Sequence, residues 1–122
     1  MLALLLAACG TGPSEEESAR VVDRFQAAVA GADGEAACAQ LTEHLRTTFE
    51  EDEGEPCSAA IVGLGIDGGG RSTHTRVYLT SALVNVAGGG DAFLDQTKEG
   101  WRISAAGCAR TGGREYDCRL ED

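Results

Sequence analysis

Aromatic side chains are scarce in this chain of 122 residues: three Phe, two Tyr and one Trp. A core must therefore come mainly from Val, Leu, Ile and Ala, with Trp101 as its largest single piece. Basic residues are also few, 10 against 20 acidic ones. The resulting net charge of −10 repels phosphate backbones and anionic headgroups, which argues against a nucleic-acid partner. No apolar run reaches the ~18–20 residues that a membrane-spanning helix requires. The chain has no C-x-x-C, and His44 and His74 fall outside zinc-finger spacing, so no metal or other cofactor is expected.

What is present divides into a helical half and a strand half. Ser14 followed by Glu17 reads as a capping box, and three glutamates in the first turn suit the helix dipole. The helix they open runs to residue 30, with Val21, Val22, Phe25, Ala28, Val29 and Ala32 on its apolar face and Gly31 at its stop. Asp33 opens a second helix, expected over 35–50, with Ala37, Cys38, Leu41, Leu45 and Phe49 on one side. The run 50–55 reads as a solvated acidic loop; it lacks the ligand spacing of a calcium loop. Pro56 then starts a short helix to residue 64.

Past Gly70 the apolar period becomes two. Strands are expected over 74–79, 81–87, 91–98, 101–106 and 114–120, separated by Gly-rich or Glu-Gly turns. Helices followed by a run of strands make an α+β domain, with helices packed on one face of an antiparallel sheet. Gly63-Leu64-Gly65-Ile66-Asp67-Gly68 fits G-x-G-x-x-G, but a helix precedes it and a strand follows. A dinucleotide would meet no helix N-terminus there, so the motif reads as a flexible helix-to-strand loop.

Cys38, Cys57, Cys108 and Cys118 form two local pairs. Four cysteines allow three connectivities; Cys38–Cys57 and Cys108–Cys118 is the favoured one. Such bonds persist in exported chains and rarely in the cytosol. The fifth cysteine ends Leu6-Ala7-Ala8-Cys9, which resembles the lipobox of bacterial lipoproteins. That resemblance implies that residues 1–8 are part of a signal peptide, that Cys9 carries the lipid, and that 9–14 tether a single domain over 15–122. No Lys or Arg precedes Cys9, so Met1 reads as an internal methionine with the true start upstream.

The chain as a whole resembles small actinobacterial lipoproteins with a nuclear-transport-factor-2-like, cystatin-like fold. The residues that carry this are the lipobox, the Ala-Ala-Cys ending at Cys38, and Glu55-Pro56-Cys57. They continue with Phe93-Leu94, Gly100-Trp101-Arg102-Ile103, Ala105-Ala106-Gly107-Cys108 and Tyr116-Asp117-Cys118. The resemblance implies three helices wrapped by a strongly curved antiparallel sheet, a cone with a pocket, held on the outer face of the cell membrane. The wider fold includes isomerases, dehydratases and binding modules, so it does not decide function.

Three readings of function follow. The first is a non-enzymatic, lipid-anchored protein that binds a small apolar ligand or a protein partner. The second is a lyase or isomerase, whose catalytic cast would be His74, Tyr78 and Asp95. The third is an interaction or inhibitor module with no pocket. His74 and Tyr78 share one strand parity, and Asp95 lies opposite Leu94, so Asp95 is outside if Leu94 faces the helices. Trp101 alternates with Ile103 and Ala105 on the expected inner face, as core or pocket wall.

Overall fold

The computed structural model describes residues 12–88, 90–112 and 115–122. Cys9, the rest of the lipobox and the signal segment lie outside them. The protein is α+β. Helices α1 (Pro13–Ala30), α2 (Gly34–Cys38), α3 (Glu43–Glu53) and α4 (Cys57–Ala60) come first, the last running on into a 3₁₀ turn at Ile61–Gly63. Five strands follow: β1 (Ser72–Tyr78), β2 (Ser81–Val86), β3 (Asp91–Thr97), β4 (Gly100–Arg110) and β5 (Tyr116–Glu121). They form one antiparallel sheet in chain order. Among the described residues no helix is long and apolar enough to cross a membrane.

Helix α1 starts earlier than the Ser14–Glu17 capping box predicts. Pro13 takes the first helical position, where a missing N–H costs nothing, and Gly12 is the cap. Glu15 reaches back to the Gly12 N–H at 2.9 Å. Glu17 is thereby free to accept the Trp101 N–H at 3.4 Å, joining the helix start to β4. At the other end Gly31 closes the helix, but the left-handed residue is Ala32, at φ 53°. Ala32 has therefore left the apolar face and is exposed. Ser18, Val21, Val22, Phe25, Gln26 and Ala28 are the buried face.

The single helix expected over 35–50 is two helices. Asp33 caps α2 by accepting the Ala36 N–H at 3.1 Å. The chain then straightens to lie beside β4: Ile103 donates to Gln40 O at 2.8 Å, and Thr42 donates to Ile103 O at 2.9 Å. The cause is an uncovered edge. β5 pairs with β4 only from Ala105 onward, so the Ile103 backbone groups need partners from elsewhere. Thr42 then caps α3, its Oγ1 accepting the Leu45 N–H at 3.0 Å. The acidic run read as a loop is mostly the last turn of α3, which ends at Gly54 with φ 68°. Glu50 in that turn accepts the Cys57 N–H at 2.9 Å and so starts α4.

Along β2 and β3 the inward side chains alternate as period two requires: Ala82, Val84 and Val86, then Ala92 and Leu94. β4 does not keep one parity. Phe93 faces Ala105 while Leu94 faces Ile103, which leaves Ser104 as a bulged residue. The buried positions shift there from Trp101 and Ile103 to Ala106 and Cys108. Ala105, expected on the inner face, is only half-buried. Helix α1 lies across this sheet, and Val21, Val22, Phe25, Leu45, Val84, Leu94, Trp101 and Ile103 make one continuous core.

Candidate functional site

Of the three glycines of the G-x-G-x-x-G match, Gly68 serves packing, Gly65 takes a left-handed φ of 80°, and Gly63 faces open space. A Cβ on Gly68 would run into the backbone of Ala30, and the Gly69 N–H donates to Gln26 O at 3.0 Å. The loop read as flexible is docked on the C-terminal end of α1, and β1 follows it.

Two disulfides are formed. Cys38–Cys57 joins α2 to α4, and Cys108–Cys118 joins facing residues of β4 and β5. Trp101 is 1% exposed and sits in the core cluster beside Phe25 and Leu94. The inner face of the sheet is thus covered by side chains of α1 and α3.

His74, Tyr78 and Asp95 are all exposed and do not converge. His74 accepts from Arg76 Nε at 3.4 Å, and Asp95 from Ser81 Oγ at 3.4 Å. Tyr78 pairs with Ser81, which pairs with Asp95, so those two share a row across three strands. His74 stands four residues back along β1, about 13 Å from that row at 3.3 Å per residue. No concerted acid–base work links an imidazole and a carboxylate so placed.

Polar groups do converge elsewhere, in a cleft of about 670 Å³. Its walls are the first turn of α3 (Thr42, Glu43, His44), the end of β3 with its turn (Asp95, Thr97, Lys98, Glu99), Ser104 and Asp122. Each part is held. The Thr42 cap fixes the α3 side. Thr97 donates to Gly100 O at 2.8 Å and accepts the Glu99 N–H at 3.2 Å, which fixes the turn. His44 Nε2 and Asp122 Oδ2 approach to 3.1 Å across one wall. Glu43, Asp95, Glu99 and Asp122 outnumber Lys98, so the cleft is acidic. Such a surface suits an extended segment bearing Lys or Arg. Among the described residues no group of three or more metal-ligating side chains converges.

Across β3, β4 and β5 a second grouping is aromatic. Phe93 and Tyr116 meet edge to face at 5.1 Å between centroids. Arg110 lies 5.8 Å from the Tyr116 ring centre and donates from Nε to the Tyr116 hydroxyl at 3.2 Å. That hydrogen bond, and the negative charge of the Tyr116 oxygen once it ionises, hold the pKa of the Arg110 guanidinium above its ordinary value.

Of the cleft residues only Asp95 is singled out by sequence reasoning. The others carry no motif. The one local signal is Thr42 three residues before Leu45, a helix cap in mid-pattern. No family model, no curated protein and no solved structure matches the chain.

Proposed function

We propose that this is a lipid-anchored extracytoplasmic interaction module, held by an acylated Cys9 on the outer face of the cell membrane, that engages a protein partner through the acidic cleft. The lipobox-like Leu6-Ala7-Ala8-Cys9 supports the anchor, and the two disulfides support an oxidising compartment. Helices stacked on a five-strand antiparallel meander are compatible with the nuclear-transport-factor-2-like, cystatin-like family that the sequence resembles. Two or more acyl chains give the stable attachment that one chain does not.

The observation that carries the choice of a surface is the filled interior. Phe25, Leu94, Trp101 and Ile103 are each no more than 1% exposed, so an apolar ligand would have to displace packed side chains. The cleft, by contrast, is open and lined by polar and charged side chains. The test has two parts. Mass spectrometry of the protein from its native membrane should find a lipid mass that Cys9→Ala removes, with release of the domain. Crosslinking in intact cells should then yield a partner adduct that Glu43→Lys with Glu99→Lys abolishes. An adduct that survives both charge reversals refutes the cleft.

A further inference from the structure

We propose that the β1–β2 hairpin tip, Tyr78-Leu79, is a second membrane contact that seats the domain on the outer leaflet; this rests on the anchored reading given above. Leu79 is 94% exposed and Tyr78 68% exposed. Leu79 also sits at φ 55°, a left-handed backbone that disfavours any side chain with a Cβ. Folding gains nothing from a leucine there: it packs on no core and strains the turn. An apolar residue at a strained, solvent-facing position fits burial in something outside the domain.

The topology says what that is. The tip adjoins the end of β3, because Gln96 donates to Thr80 O at 2.8 Å. Gln96 pairs with Trp101, whose N–H reaches Glu17 in the second turn of α1. The tip therefore lies at the end of the domain where the helix begins. Distances agree. Asp23 accepts from Ser72 N at 2.8 Å and Oγ at 3.0 Å, setting the two elements level. From there α1 runs back 11 residues to Gly12, about 17 Å at 1.5 Å each. β1 runs the same way for six residues to Tyr78, about 20 Å at 3.3 Å each. Only Gly10, Thr11 and Gly12 separate Cys9 from the helix, a reach of about 14 Å at most. A lipid on Cys9 therefore holds this end of the domain near the bilayer, with the hairpin tip facing the acyl boundary.

Lys98 and Glu99 form the neighbouring tip, and Glu15 and Glu16 flank the helix start. Their sum is acidic, so the contact is apolar insertion by Leu79 with Tyr78 at headgroup depth. Anionic lipid should weaken it.

The experiment uses the lipidated full chain in phosphatidylcholine vesicles with brominated acyl chains. Leu79→Trp and, separately, Tyr78→Trp place an indole at the tip; Ala87→Trp places one in the β2–β3 turn at the far end. Wild-type protein, whose single Trp101 is buried, gives the baseline. The expected result is blue-shifted, bromine-quenched emission for the two tip variants and unquenched, water-like emission for Ala87→Trp. Water-like emission from both tip variants, on protein that floats with the vesicles, overturns the contact and leaves the anchor standing. Failure of purified native protein to carry lipid or to float overturns the anchor, and this inference with it.

Discussion

The Glu50 carboxylate accepts the backbone N–H of Cys57, seven residues on, at 2.9 Å. Pro56, the residue before that N–H, has no side-chain hydrogen bond to give the short helix, so Glu50 supplies its start. Glu50→Ala should destabilise the protein by about 1 kcal/mol, the usual worth of a lost cap. Glu51→Ala, one residue along on the exposed side, should change little. Urea unfolding followed by Trp101 fluorescence separates the two, and equal effects would deny Glu50 its role.

The disulfides close loops of sequence separation 19 and 10. By chain entropy each should contribute about 3 kcal/mol, the longer loop slightly more. The Cys38→Ala/Cys57→Ala and Cys108→Ala/Cys118→Ala double variants should each lose that much in denaturant unfolding. Removal of both pairs should leave a domain of ordinary stability close to its unfolding limit at room temperature.

Glycines and non-glycines can be exchanged with opposite signs. Ala32 and Leu79 hold positive φ without being glycine. Ala32→Gly and Leu79→Gly should each raise stability by about 1 kcal/mol. Gly68→Ala should lower it by more than 2 kcal/mol, because the new methyl has only the Ala30 backbone to occupy. Thermal melts of the three variants give the signs directly.

Ser18 is fully buried on α1, and its Oγ has no hydrogen-bond partner among the described residues. Ser18→Ala removes that desolvated hydroxyl and improves helix propensity. It should stabilise by about 1 kcal/mol, read by the shift of the urea midpoint at constant m-value. A loss instead would mean that a bound water satisfies the hydroxyl.

The parts of this fold that follow from local pattern could be read in the sequence. Val21, Val22, Phe25 and Ala28 mark one helix face by period, and Ala82, Val84 and Val86 mark one strand face. The parts decided by contacts far along the chain could not. Ala37, Cys38, Leu41 and Leu45 keep helical spacing straight through the break at residues 39–42; the break exists because Ile103, sixty residues away, needs backbone partners. Ser104 gives no sign of a bulge, having neither Gly nor Pro beside it, yet it moves Ala105 off the inner face. The cleft is illegible for the same reason. Its walls come from α3, β3, β4 and the C-terminal residue, and none of Glu43, His44, Glu99 or Asp122 belongs to a motif.

Each disulfide stays within one layer. Cys38–Cys57 crosslinks helices to one another, Cys108–Cys118 crosslinks neighbouring strands, and the loop 64–71 passes between the two sets with no covalent tie across it. Neither bond needs the other's layer: the Cys38–Cys57 bond requires only the helical portion, and the Cys108–Cys118 bond requires only β4 and β5. A protease cut within that loop would yield two separately stapled fragments, joined only by non-covalent contacts: the shared core and the hydrogen bonds of Ile103, Trp101 and Ser72 to the helical half. They should part in denaturant without any reductant.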